Sequence, residues 1–258
     1  MWDILIINPM VNSLLFLYQL LFNNFTLAIT VFTILVRLLT QPLTAQSQKS
    51  SKKLTELQHS DEWRKIQEKY AKDQEKRNQE QMKLMQQAGA NPLGGCLPML
   101  IQFPVLIGLY QAINLAMAAS PVQLLNLSQH IYPFLPNVTN LIPLENQFLW
   151  LHLGLPDPYY VLPVVVVATT WLQSKIMTPP SADPQAAQMS QTMSIYMPLM
   201  IGWMSLNFPS GLSIYWVISN VVGIVQYAIM PGSKVDWKNL FRLRSTPPAP
   251  PEKSRKKK

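Results

Sequence analysis

The sequence predicts an all-α polytopic membrane protein with five transmembrane helices, an N-terminal interfacial amphipathic helix and a cytoplasmic helical hairpin. Three observations lead there. Of the 258 residues, 13% are charged and 48% are hydrophobic, a balance unlike that of an ordinary soluble chain. The apolar residues gather into runs close to the ~20 residues that a helix needs to cross a ~30 Å hydrocarbon core. Apart from Arg37 and Lys175, the basic residues fall in two groups, ten from Lys49 to Lys83 and nine from Lys234 to Lys258. Basic residues in short loops mark the cytoplasmic face.

Taken in order, residues 1–24 are read as an extracytoplasmic N-terminus carrying the interfacial helix. The run at 4–22 is long enough to span. At 100° per residue, however, Asn8, Asn12, Gln19 and Asn23 fall within about 60° of one another, a polar stripe on an otherwise apolar helix. A sixth span or an uncleaved signal-like segment is the alternative; no basic residue precedes the run, as one would in a standard signal peptide. Residues 25–45 form the first span. Residues 46–91 hold ten basic and seven acidic residues with sparse apolar positions, the pattern of two solvated helices folded as a hairpin near 72–74. A solvated spacer and a docking arm for a partner are both open readings of it.

Spans follow at 92–119, 158–177, 194–208 and 211–230. An extracytoplasmic loop (120–157), a cytoplasmic loop (178–193) and the turn Asn207-Phe208-Pro209-Ser210-Gly211 separate them. The fourth is short, since about 15 residues reach only about 22 Å. Five crossings from an outside N-terminus place the tail, 231–258, in the cytoplasm, where its charge also puts it. The tail is +7, and Pro247-Pro248-Ala249-Pro250-Pro251 prevents a continuous helix, so it suits anionic lipid or RNA phosphate.

Arg37 lies inside the first span, where a charge costs from ~2.5 to more than 10 kcal/mol unless water or partners receive it. With Arg37 at 0° on a helical wheel, Thr26, Thr30, Thr33, Gln41 and Thr44 all fall within about 40° of it. An Arg within a Thr/Gln stripe fits a water-filled cavity; an Arg bonded to nearby carbonyls or snorkelling to the cytoplasmic side is the bland alternative. Thr169 and Gln173 on the third span, and Ser213, Trp216, Ser219, Asn220 and Gly223 on the fifth, offer polar faces that either meet the stripe or simply glue helices together. Met193, Met197, Met200 and Met204 align on the fourth span, either as an adaptable apolar surface or as packing filler.

Several functions are disfavoured. The single Cys, Cys96, excludes an internal disulfide, and His59, His130 and His152 are scattered. No Asp or Glu lies in any span, which disfavours an intramembrane protease, and no GxxxxGK[ST] loop is present to hold a nucleotide. The chain is therefore expected to be no enzyme and to carry no cofactor. A small-anion channel or transporter with Arg37 as its selectivity charge remains the competing class, against which stands the absence of an internal repeat.

Five separated motifs carry a resemblance. They are Val36-Arg37-Leu38 with Gln41-Pro42-Leu43 and Lys49-Ser50-Ser51-Lys52; Asn91-Pro92-Leu93-Gly94-Gly95-Cys96-Leu97-Pro98 with Gln102-Phe103-Pro104; Phe148-Leu149-Trp150; Pro156-Asp157-Pro158-Tyr159-Tyr160; and Asn207-Phe208-Pro209-Ser210-Gly211-Leu212 with Tyr215-Trp216. In this order, over nearly the whole chain, the sequence resembles the YidC-type membrane protein insertases of bacteria and organelles, in the short form without a large extracytoplasmic domain. The sequence departs from the pattern twice. No cleavage-site Cys precedes the first run, and Gln58-His59-Ser60-Asp61 stands where a Pro is common.

The resemblance implies a groove open to cytoplasm and lipid but closed to the outside, with Arg37 at its centre and Gln173 and Trp216 as its partners. Thr33 lines it, with Thr30 and Gln41 of the same stripe beside it, and Leu106 and Met204 lie on the apolar path of the client. The implied role is insertase and chaperone, in a multi-pass protein of the bacterial inner (plasma) membrane. Implied partners are nascent membrane proteins, membrane lipids, Sec-type translocon and signal recognition particle components. The ribosome would be met through the RNA phosphates contacted by Lys253, Arg255, Lys256, Lys257 and Lys258.

Overall fold

The computed structural model describes residues 1–90, 97–117, 120–133, 144–178 and 183–230. The tail at 231–258, with its basic residues, and the motif residues 91–96 lie outside the described residues. The described residues are helical almost throughout, in an all-α membrane protein, and the one sheet among them is a two-stranded hairpin.

A π-helical turn, Asp3–Ile7, leads into α1, Asn8–Leu20. Phe22 and Asn23 take left-handed φ values of 56° and 58°, reversing the chain within a few residues. The Asn24 side chain then accepts the Leu27 N–H at 3.1 Å and starts α2. Asp3–Leu20 is long and apolar enough to cross a membrane by length and composition. Its polar stripe is not left to water at Asn12. That side chain is buried, donates to the carbonyls of Asn8 and His130 and accepts the Tyr132 N–H, each at 2.7 Å. Asn12 thus docks the 120–133 segment, while Ile4, Leu5, Phe16 and Leu20 face outward.

α2 spans Phe25–Gln58, 34 residues, or about 51 Å at 1.5 Å per residue. The sequence places the span's end at 45, yet the helix runs on through 46–58, because Gln, Lys, Leu and Glu there are good helix formers with no Gly or Pro among them. It breaks at His59. Ser60 accepts the Trp63 N–H at 3.2 Å to start α3, Asp61–Lys69, and Asp73 accepts the Lys76 N–H at 3.1 Å to start α4, Gln74–Gln87. The connection between α3 and α4, residues 70–73, overlaps the expected 72–74.

α5 is Leu97–Ala116, and α6, Pro121–His130, is a short helix opened by a capping box of Ser120 and Gln123 that the loop reading of 120–157 passes over. β1 (Gln147–Phe148) and β2 (Leu151–His152) pair antiparallel, Gln147 with His152 and Phe148 with Leu151. α7 is Val161–Met177, α8 Pro184–Ser205 and α9 Ser210–Ile229. α8 begins about ten residues before the expected 194. Its 22 residues come to about 33 Å, and the expected apolar stretch at 194–208 forms its C-terminal part.

Among the described residues, three stretches are long and apolar enough to span by length and composition: Asp3–Leu20, Phe25–Gln58 and Ser210–Ile229. α9 is the centre of the bundle, packed on α2 and α7, while α1 packs on α2 and α5 and α8 on α7. The dry core lies at the end that carries α6 and the β-hairpin, here the cap end. Val11, Leu14, Leu15, Ala28, Ile29, Leu109, Ala112, Ile113 and Leu212 are fully buried there. Backbone bonds seal it: Gly211 N–H donates to Leu153 O at 3.0 Å and Ser210 N–H to Leu155 O at 2.8 Å. A Cβ on Gly211 would sit 3.2 Å from both Leu153 O and Ile29 Cδ1, so the approach requires glycine-like closeness. Buried Asp157 collects the Trp150 Nε1–H (3.2 Å) and the N–H groups of Tyr159 (3.0 Å) and Leu162 (2.7 Å), fixing the start of α7.

Candidate functional site: a polar cavity around Arg37

Packing on α2 changes character halfway along. Phe25, Thr26, Ala28, Ile29, Phe32 and Thr33 are buried, and from Ile34 through Gln46 no residue is. Arg37 sits just past that change. Its Nε–H donates to Ser219 Oγ at 2.8 Å, and its carbonyl accepts from Gln226 Nε2 at 3.1 Å, both partners on α9. Ser219 is the tenth residue of the twenty in α9, so the guanidinium is held at the middle of that helix rather than drawn out to the end where α3 and α4 project. That placement disfavours the snorkelling reading.

Val36, Arg37, Thr40, Leu43 and Thr44 of α2, Gln102 and Val105 of α5 and Tyr215 of α9 line one cavity. It leaves about 30 Å³ for the centres of water molecules, room for one or two of them among polar groups able to bind them. The Gln102 amide donates to the Tyr215 hydroxyl, and Tyr215 lies one helical turn before Ser219. Gln102, Tyr215, Ser219 and Arg37 therefore form a polar seam across α5, α9 and α2. Among the described residues no carboxylate pairs with Arg37, and no group of His, Cys, Asp and Glu is arranged to hold a metal.

The expected residues divide. Gln173 of α7 is brought to Arg37: a Cβ at Gly223 would collide with the Gln173 amide and lie 3.5 Å from Arg37 Nη1, so both side chains converge over that glycine. Thr33 is fully buried and donates to Ile29 O at 2.6 Å, and Thr30 donates to Thr26 O at 2.8 Å. Their hydroxyl protons are spent on their own helix, as are those of Thr40 and Thr44 on Val36 O (2.9 Å) and Thr40 O (3.1 Å). Gln41 is exposed and absent from the cavity lining; Thr40, about 60° round the wheel on the other side of Arg37, takes its place. Trp216 is buried against Phe208, rings 6.3 Å apart and 19° from parallel, with Phe208 in turn 5.4 Å from Tyr110. It belongs to the apolar wall on the cap side of the cavity.

Leu106 is partly buried against the core next to cavity-lining Val105, and Met204 is partly buried on α8, where Met193 and Met200 are exposed. Asn220 serves as interhelical glue, donating to Thr169 Oγ1 (3.1 Å) and Thr170 Oγ1 (2.8 Å) on α7. Sequence reasoning misses Thr40 and Gln226. The signal for Gln226 is its spacing: Ser219, Gly223 and Gln226 share one face of α9.

The sequence profile of a family described as "60Kd inner membrane protein" matches residues 16–236. The membrane protein insertase MisCA of Bacillus subtilis (strain 168) is 38% identical over 238 residues, 91% of this chain and 80% of that protein. The chain belongs to the YidC-type membrane protein insertase family. The membrane protein insertase YidC of Nitratidesulfovibrio vulgaris (strain DP4) is 39% identical over 226 residues, 87% of this chain but 38% of the relative, so against such long family members the chain spans well under half the length. YidC 2 of Bacillus anthracis is 36% identical over 91% of this chain and 82% of its own. Among solved structures, an active YidC insertase with its first transmembrane domain resolved superposes with a TM-score of 0.57 at 23% identity, over 86% of this chain and 45% of that one. That likeness concerns the fold.

Proposed function

We propose that this chain is a membrane protein insertase and chaperone, which takes short polar segments of nascent membrane proteins into the groove around Arg37 and releases their apolar spans into lipid. The observation that carries the reading is a cation without a carboxylate partner among the described residues, held at the middle of α9 in a polar cavity that gives way to a dry core on the cap side. The relatives' names, membrane protein insertases, support it.

The barrier to insertion is desolvation of the polar segment, where each charge brought to the bilayer centre costs ~2.5–3.5 kcal/mol on insertion scales. A wet cavity reaching partway across shortens the dry distance, and a fixed positive charge inside it favours acidic segments most. No bond is made or broken in this process. Arg37, Gln173, Ser219, Thr40 and Thr44 supply the polar surface, with Thr30, Thr33 and Gln41 flanking it and Trp216 closing its cap side. Leu106 and Met204 lie on the route by which an apolar span leaves. A small-anion channel needs a polar path through both ends, and the packed cap end speaks for the insertase.

In this reading the cap end faces outward, the α3–α4 hairpin and the tail face the cytoplasm, and the membrane is the bacterial inner (plasma) membrane. The positive-inside pattern supports that orientation. The tail's Lys253, Arg255, Lys256, Lys257 and Lys258 meet ribosomal RNA phosphates, with Sec-type translocon and signal recognition particle components as further partners. Site-specific photocrosslinking from positions 173 and 40 during synthesis of a single-span client tests the function. The reading expects adducts with the nascent chain, and their absence at both positions would reject it.

A further inference from the structure

Arg37 is held by α9 at two separate points. Gln226 donates to its main-chain carbonyl at 3.1 Å and Ser219 accepts its Nε–H at 2.8 Å. Between them stands Gly223, the residue over which the Gln173 amide and Arg37 Nη1 converge. These three residues lie at i, i+4 and i+7, a single stripe about 10 Å long on α9. Ser219 is 2% exposed, so its hydroxyl has little water to turn to instead.

The α2 backbone nearby is weakened. Pro42 inside the helix has no N–H to offer the carbonyl four residues back, and its ring crowds that carbonyl. A helix interrupted within two turns of Arg37 does not by itself fix where the Arg37 side chain points. A second helix supplies that constraint.

We infer that Ser219, Gly223 and Gln226 form a positioning face for Arg37. Gln226 sets the main chain, Ser219 orients the guanidinium through Nε, and Gly223 leaves the space that lets Gln173 lie against it. The Ser219 hydroxyl that receives the Nε–H is also met by Tyr215 one turn earlier, and Nη1 lies over Gly223 beside the Gln173 amide. The arrangement deepens the proposed function, since it matters to insertion only if Arg37 is the working charge of the groove. The geometry itself is tested without any client.

The collision that a Cβ at Gly223 would produce is with the far end of a flexible side chain, so Gly223→Ala is expected to fold with Gln173 displaced. The decisive test is nuclear magnetic resonance of the full chain, labelled with 15N-arginine and held in lipid nanodiscs. The Arg37 Nε–H resonance is assigned by its loss in Arg37→Lys. Gln226→Met keeps the volume and removes the donor; Ser219→Ala removes the acceptor and Ser219→Thr keeps it.

Hydrogen exchange at Arg37 Nε–H is expected to quicken by about fivefold or more in Ser219→Ala and by a smaller measurable factor in Gln226→Met, the scale of one lost hydrogen bond. Ser219→Thr should stay at the wild-type rate. Melting temperature is recorded alongside. A Gln226→Met variant that melts earlier but leaves the Arg37 resonance and its exchange untouched would show mere packing and overturn the inference. Unchanged exchange in Ser219→Ala would overturn it as well. Failure of the crosslinking experiment, with these exchange changes present, would reject the insertase reading and leave the positioning face standing.

Discussion

Arg37 and Gln173 are legible in the sequence, because a charge in an apolar run and an amide at membrane depth are each expensive without a partner. Thr40 and Gln226 are not, because a helical wheel places residues on their own helix and carries no register between α2 and α9. Trp216 shows the same limit of the wheel: it shares a face with Ser219, and one turn of offset along α9 stacks it on Phe208 while Ser219 meets the guanidinium. At this scale the account predicts a graded series for client insertion. Arg37→Lys keeps the charge but loses the Nε–H that meets Ser219 and should retain more activity than Arg37→Ala. Arg37→Glu should be worst, and most so for clients with acidic tails. Insertion of a tail-charge series into vesicles measures this, and equal rates across the three variants would remove the electrostatic role.

The helices themselves are foreseen better than their ends. Hydropathy marks where a chain can meet lipid, whereas a helix ends where caps and breakers end it, so α2 runs on to Gln58 and α8 starts at Pro184. What hydropathy cannot give at all is how the hairpin rests on the rest. Asp183, 9% exposed just before α8, accepts from Gln67 Nε2 of α3 at 2.9 Å and from Gln81 Nε2 of α4 at 3.3 Å. One carboxylate thus ties both arms of the hairpin to the α7–α8 connection. Replacing it, Asp183→Ala, is expected to raise amide exchange in α3 and α4 by about tenfold, since hydrogen bonds to a charged group are the stronger kind. Exchange in α9 should not change. Hydrogen-exchange mass spectrometry in nanodiscs reads both regions at once.

Across the whole molecule, packing and charge run in opposite directions. The fully buried side chains concentrate at the cap end, and the basic residues concentrate beyond the other end and in the tail. Segregated charge is plain in the sequence, and it carries the orientation argument. The dry seal is not, because it depends on the 144–160 segment folding back to bond Ser210 and Gly211, a contact between residues some fifty positions apart. The tail yields its own test. Deleting residues 245–258 removes Lys253, Arg255, Lys256, Lys257 and Lys258 and leaves every described helix intact. Ribosome co-sedimentation in detergent should fall, and the salt dependence of what remains should flatten, by up to about four in the log–log slope for five lost phosphate contacts. Insertion of a client added after its synthesis should be nearly unchanged.

The central claim is a polar cavity at Arg37 that is wet from the hairpin side and sealed from the cap side, and cysteine accessibility tests it most directly. With Cys96 replaced, single cysteines at Thr33, Thr40 and Thr44 are exposed to a membrane-impermeant maleimide from each face of the membrane. Thr40 and Thr44 line the cavity, whereas Thr33 is fully buried one turn before Arg37. The account predicts labelling at 40 and 44 from the hairpin side alone, with 33 silent from both sides. Labelling at 33, or equal labelling at 40 from both faces, would mean a continuous aqueous path and would contradict it.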